Sequence, residues 1–277
     1  MTQRGKTKHK SKGKRAKAPG RLRRIALRIS IFLLLLVVLS ALLLWWSLPD
    51  VEALRDKPPE TTAFIELRKE QAKDAGKKFR LRWKWRPIKK ISPYLRHAAV
   101  AAEDATFWSH EGVDWKAMEQ VAKDSWESKS LSGRGGSTIT QQVAKNLYLS
   151  PSRSPIRKLR EFFIARRLES ELSKERILEI YLNIAEWGNG VFGAEAAAQK
   201  WYGVSAAKLS PVQAARLAVA LPNPFKRSAK RDAKWLNRKA ARLLRSMRGA
   251  RLISEEVLQS SYRELGIPST ASPRVSK

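Results

Sequence analysis

Cysteine is absent from the 277 residues, which removes any disulfide framework and any thiolate metal site. An oxidising compartment is thereby permitted without being required. Acidic residues are scarce: 25 Asp and Glu stand against 56 Lys and Arg, for a formal charge of +31. Nucleic acid, anionic lipid headgroups and pyrophosphates all suit so basic a chain, and charge alone does not choose among them. No second histidine or cysteine stands at ligand spacing from His110, so zinc is not supported. Internal repeats are missing, and low-complexity sequence is confined to the two ends.

One long apolar run is present. Ile25 to Trp46 reads IALRISIFLLLLVVLSALLLWW, with Arg28 its single charge, close to the roughly 20 apolar residues that cross a hydrocarbon core. Trp45 and Trp46 close it as an interfacial aromatic pair. No small-x-small cleavage site follows, so a retained anchor is preferred over a cleaved signal peptide. The preceding residues are dense in Lys and Arg and contain no Asp or Glu, which predicts a cytoplasmic N-terminus with the rest of the chain outside. The basic head up to Arg24 has no apolar periodicity and is expected to be disordered against anionic lipid.

Length and a 43% hydrophobic content leave room for one further globular domain, not for a second large catalytic one. Residues 49–90 are expected to be a linker and membrane-proximal segment, broken by Pro58 and Pro59. Within it KKFRLRWKWRPI alternates Phe79, Leu81, Trp83 and Trp85 with basic residues, which suggests a strand at an edge near the lipid surface. A mainly α domain is expected over 91–267, with a flexible tail over 268–277. Ser92-Pro93, Ser154-Pro155 and Ser210-Pro211 each read as N-cap followed by Pro at the first helical position, and Ser173 can cap KERILEIYLN.

Chemistry concentrates in two stretches. In EDATFWSHEGVD, Glu103 and Asp104 end a helix, where the negative end of the dipole should raise a carboxylate's pKa and suit it to taking a proton. Taken alone, adjacent acids are more often a solvated helix end, and His110 a structural hydrogen-bonding residue. In SGRGGSTITQQVAKNLYLSPSRS, a pliable loop with Gly133, Gly135 and Gly136 precedes Ser137, Thr138, Thr140, Gln141 and Gln142. Lys145 and Arg153 follow as cations. The stretch resembles an anion cradle before a helix N-terminus but lacks the spacing of a nucleotide-binding Walker loop. Arg157, Lys158 and Glu161 sit one helical turn apart, a spacing that ordinary surface ion pairing also explains.

Taken together, EDATFWSHEGVD, GGSTITQQVAKN, RKLRE and KERILEIYLN resemble, in order and spacing, the successive motifs of the peptidoglycan glycosyltransferases. EWGNGVFGAEAAAQKWYG is similar to the version in the monofunctional biosynthetic members, which lack a transpeptidase domain. The resemblance covers roughly Ser92 to Asn223. It implies a lysozyme-like fold in the bacterial inner membrane, and elongation of glycan strands from lipid II, the undecaprenyl-pyrophosphate-linked precursor, with inversion to a β-1,4 linkage. It also implies Glu103 as catalytic base and Glu161 as the second carboxylate. Lys145, Arg153, Arg157 and Lys158 would then steady the pyrophosphate, and Asp104, Ser137, Thr138, Gln141, Gln142 and Asn146 would contact substrate. No cofactor is required, although a divalent cation, Mg or Mn, is compatible with the pyrophosphate. Expected partners are lipid II, the growing strand and the membrane, with cell-wall synthesis or division proteins as candidates and nucleic acid excluded. Hydrophobic and aromatic residues on a loop expected between Trp115 and Leu131 would dip into the interface.

Two rival readings are weighed against this one. A lytic muramidase must protonate a poor alkoxide leaving group and has little use for a cationic cradle. A membrane-tethered nucleic-acid or lipid-binding module would use the basic surplus and ten Trp, but leaves STITQQ and the Glu103 segment unexplained.

Overall fold

The structure, a computed structural model, describes residues 20–128, 136–152, 154–225, 229 and 233–268. The basic head, Gly133, Gly135, Leu131, Arg153 and the tail beyond 268 lie outside the described residues. The chain divides into two units, Met1–Ser47 and Leu48–Lys277.

The first unit contains helix α1, Gly20–Trp46. Its stretch Arg23–Trp46, 24 residues of mean hydropathy 2.8 and none of it buried, is long and apolar enough to cross a membrane. At about 1.5 Å per residue it reaches on the order of 36 Å, against roughly 30 Å of hydrocarbon. Ser40 Oγ donates to Leu36 O at 2.7 Å, so this hydroxyl within the span is satisfied by its own helix. These properties are those of a single-pass anchor.

The second unit is mainly helical. In chain order it holds α2 (Ala63–Asp74), β1 (Arg82–Trp83), α3 (Pro93–Glu103), α4 (Trp115–Ser128), α5 (Ile139–Tyr148), α6 (Pro155–Glu171) and α7 (Lys174–Ile184). There follow β2 (Glu186–Gly188), β3 (Val191–Phe192), α8 (Ala194–Tyr202), α9 (Pro211–Ala220), α10 (Lys234–Gly249) and α11 (Glu255–Glu264). Helix α5 packs against α2, α6 and α7, while α3 packs against α9 and α10. Ile139, Val143, Ile164, Leu168, Ile177 and Ile180 are fully buried between these helices, as the i, i+3/i+4 spacing requires.

The expected caps are realised at Ser154, Ser173 and Ser210, whose side chains accept from Arg157 N, Arg176 N and Gln213 N. Ser92 occupies the cap position of α3 but makes no side-chain cap bond. Its hydroxyl donates instead to Leu209 O at 3.2 Å and its amide to Ala206 O at 3.0 Å, tying α3 to the turn before α9.

Residues 49–90 are more than a linker. Val51, Leu54 and Ile65 are buried, Arg176 Nε donates to Leu54 O at 2.7 Å, and Arg55 Nε donates to Glu171 O at 3.0 Å. Helix α2 has only a thin apolar stripe, and no apolar period announced it. The strand expected across Phe79–Trp85 shrinks to the two residues of β1, parallel to β3 in a sheet of order β1-β3-β2. The flanking tryptophans bond to α7 instead: Trp83 Nε1 donates to Asn183 O at 2.7 Å and Trp85 Nε1 to Glu179 Oε1 at 3.3 Å. Buried Asn183 completes the joint, its Oδ1 accepting from Arg86 N at 2.7 Å and its Nδ2 donating to Arg86 O and Glu179 O, both at 2.8 Å. Gly193, at φ +81°, lets β3 turn into α8 where a Cβ would lie 2.6 Å from Asn183 O.

Candidate active site

Glu103 is the last residue of α3 and Asp104 its C-cap, so the two neighbouring acids point to different surroundings. Asp104 is buried. Its Oδ2 accepts from Ile139 N, the first amide of α5, at 2.9 Å, and both its oxygens lie 3.0 Å from His110 Nε2. Gly112 N donates to His110 Nδ1 at 3.1 Å, which leaves the imidazole proton on Nε2, facing the carboxylate. Asp104 and His110 thus bind the loop after α3 to the start of α5.

The polar run that opens α5 divides in the same way. Thr138 caps the helix and forms a capping box with Gln141, each side chain meeting the other's backbone amide. Thr138 Oγ1 also donates to Gly112 O at 2.6 Å. With both residues buried, Thr138 and Gln141 spend their hydrogen bonds on the framework, and Thr140 Oγ1 does likewise on Glu169. Gln142 faces the other way and donates from Nε2 to Glu103 Oε2 at 2.9 Å. Tyr181 Oη donates to Gln142 Oε1 at a long 3.5 Å; burial, reinforced by the charges of Glu103 and Asp104, pushes its pKa well above the usual phenol value.

Glu161 is 2% exposed and accepts from both Arg157 Nη1 and Lys158 Nζ, so the pairing expected from the spacing exists, but it is buried at the carboxylate end. Lys158 Nζ also donates to Ser137 Oγ at 3.0 Å, which brings the polar run onto α6. Lys145 stands differently: among the described residues its ammonium has no hydrogen bond or ion pair, and it lies 5.6 Å from the ring centroid of Phe64 on α2. Burial depresses its pKa, the Arg157 and Lys158 charges add to that, and Glu161 and Glu103 oppose it. All four charges therefore act on one ammonium. Asn146, one residue on, is almost fully buried.

The structure thus gathers Glu103, Ser137, Gln142, Lys145, Arg157, Lys158 and Glu161, while turning Asp104, Thr138 and Gln141 into their supports. Phe64 and Tyr181 also belong to this environment. Sequence reasoning missed Phe64 because α2 carries no motif, and Tyr181 entered it only within the stretch KERILEIYLN.

The transglycosylase family pattern matches residues 71–248, which include all these side chains except Phe64. A biosynthetic peptidoglycan transglycosylase of Azoarcus sp. is 49% identical over 194 residues, covering 69% of this chain and 84% of that one. The protein of the same name from Dechloromonas aromatica is 45% identical over 220 residues, 79% of this chain and 95% of its own length. The chain belongs to the transglycosylase family. It is a peptidoglycan glycosyltransferase, and its helical second unit is the transglycosylase domain.

Proposed function

We propose that the chain polymerises glycan strands from lipid II by inverting transfer. The acceptor hydroxyl attacks the anomeric carbon of the strand attached to undecaprenyl pyrophosphate, forming a β-1,4 bond and releasing the pyrophosphate. Glu103 takes the hydroxyl proton, with Gln142 holding one of its oxygens. The departing pyrophosphate meets Lys145, Arg157 and Lys158, and Glu161 fixes the last two in place. Arg153 joins this group by resemblance. Ser137, Gln142 and Asn146 contact the sugar or phosphate, and Asp104, Thr138 and Gln141 keep the cradle in shape. The observation that carries this reading is Lys145: a half-buried cation with no hydrogen bond or ion pair among the described residues, in the field of Glu161 and Glu103, suits an anionic leaving group.

A divalent cation, magnesium or manganese, belongs to the proposal only as a companion of the pyrophosphate. Among the described residues no three His, Asp or Glu side chains form a metal cage, and Glu161 is already taken by two cations. The residues do not fit a protein-built site, so no step is routed through a metal.

The positive residues before α1 favour a cytoplasmic N-terminus in the bacterial inner membrane, with catalysis on the periplasmic side. Trp115–Ser128 is helix α4 rather than the expected loop, and the exposed Trp115, Met118, Ile156 and Leu159 side chains of α4 and α6 are reserved for lipid contact in this reading, a role supported by their apolar exposure.

The test is incubation of the purified full chain with labelled lipid II in detergent or bilayers. Polymer supports the proposal. Shortened glycan from preformed strands would favour the muramidase, and absence of turnover by a folded protein would leave only binding.

A further inference from the structure

The segment that joins α2 to α3 is the most one-sidedly charged part of the second unit. From Ala75 to Ala102 the sequence contains no Asp or Glu. Within residues 77–90, Arg86 forms an ion pair with Glu195 at 2.8 Å. The other cations of that stretch, among them Arg80, Arg82, Lys84, Lys89 and Lys90, are exposed and have no ion pair among the described residues. The nearby acids are committed inward: Glu179 to Ile88 N, Trp85 and Arg176, Glu195 to Arg86 and Ala206 N, and Glu186 to Arg68.

The backbone beneath these cations is fixed rather than loose. Trp83, Trp85 and Arg86 are bonded to α7, and Arg82 N donates to Gly190 O at 2.7 Å. Gly190 permits that approach, since a Cβ there would meet Arg80 O at 2.4 Å. Indoles inward and cations outward therefore follow from the same alternation, with Arg80, Arg82 and Lys84 two residues apart, about 7 Å in extended chain.

Lysine and arginine on an edge strand also deter pairing between molecules. That role is too small here, because β1 has only two paired residues and leaves little open ladder to protect. A rigid row of unpaired cations in a chain that carries a membrane-crossing helix is complementary to an anionic lipid surface. We propose that the outer face of residues 77–90 docks on the anionic headgroups of the bilayer, as a second membrane contact besides the anchor. The inference rests on reading α1 as an anchor and not on the transfer chemistry.

The absence of native cysteine permits one label at Lys89→Cys in the full chain, reconstituted in nanodiscs, with Gln259→Cys on α11 as reference. Energy transfer to headgroup-labelled lipid is compared between purely zwitterionic discs and discs with about a third anionic lipid. Transfer at position 89 should rise at least about twofold with anionic lipid, and fall back at 1 M salt, where the screening length is about 3 Å. Arg80→Gln/Arg82→Gln/Lys84→Gln should abolish the rise and remain monodisperse. Equal transfer in both lipids, or an undiminished rise in the triple variant, would overturn the proposal. So would a soluble oligonucleotide that displaces the label from anionic discs at stoichiometric concentration, because it would mark a nucleic-acid surface. Polymerisation measured in the same discs separates the two readings: an active enzyme without the lipid effect refutes this surface alone, and an inactive one with it refutes only the transfer chemistry.

Discussion

Gln142 Nε2 on α5 donates a 2.9 Å hydrogen bond to Glu103 Oε2 at the end of α3, so a neutral donor holds one oxygen of the acid proposed as base. Glu103→Gln keeps the shape but cannot accept the hydroxyl proton. It is expected to fold normally and lose about 10²- to 10⁴-fold in polymerisation rate. Gln142→Ala keeps the base but frees it to turn; a hydrogen bond to a charged group contributes about 1.5–3 kcal/mol, so roughly a tenfold loss or more is expected. Near-native synthesis by folded Glu103→Gln, measured with labelled lipid II, would remove Glu103 from the mechanism.

Asn183 is a structural joint, and its replacement should separate stability from chemistry. Asn183→Ala leaves Arg86 N and Arg86 O without their partner, at about 1–3 kcal/mol for each group left unpaired, while Glu179 O keeps its helical bond. The expected result is a thermal midpoint lowered by several degrees, with rate per folded molecule preserved at low temperature. A selective loss of rate with unchanged melting would instead make Asn183 part of the site.

The grouping of the candidate residues was more legible in the sequence than the partner that each side chain takes. Glu103, Lys145 and the Arg157/Lys158/Glu161 group were legible because motif spacing converts directly into helix faces. Asp104, Thr138 and Gln141 show the limit: a residue that caps a helix and one that binds a sugar are the same chemical types. Only the three-dimensional partners, Ile139 N for Asp104 and Gly112 O for Thr138, separate the roles. Helix α2 escaped because AFIELRKEQAKD is mostly polar and is held by packing on α5 rather than by its own apolar period. The strand over Phe79–Trp85 was overextended because alternation reports which side chains face inward. It does not say whether they face a sheet partner or a helix.

Orientation is open to direct measurement. With the basic head in the cytoplasm, protease added to intact spheroplasts should digest the second unit. Protection until the membrane is broken would reverse the topology. Release into the soluble fraction without detergent would mean that α1 is cleaved rather than retained.

Lys145 offers the sharpest test of the leaving-group proposal, because its charge is held at a cost. Burial lowers its pKa below the ordinary 10.5, so between the lowered value and 10.5 the unfolded chain binds a proton that the folded chain does not. Stability contributed at this position therefore rises with pH through that window, while activity, which needs the ammonium, falls through it. Lys145→Met removes the buried charge and keeps much of the volume; unfolding free energy is expected to be unchanged or raised by about 1 kcal/mol. Transfer from the pyrophosphate-linked donor should drop at least about tenfold, since a charged hydrogen bond contributes about 1.5–3 kcal/mol. Lys145→Arg restores a cation that does not titrate in this range, so residual activity should lose its alkaline decline. A Lys145→Met protein with wild-type rate at saturating lipid II would leave the cation without a role in transfer. One that melts much earlier than wild type would show that Lys145 supports the fold instead.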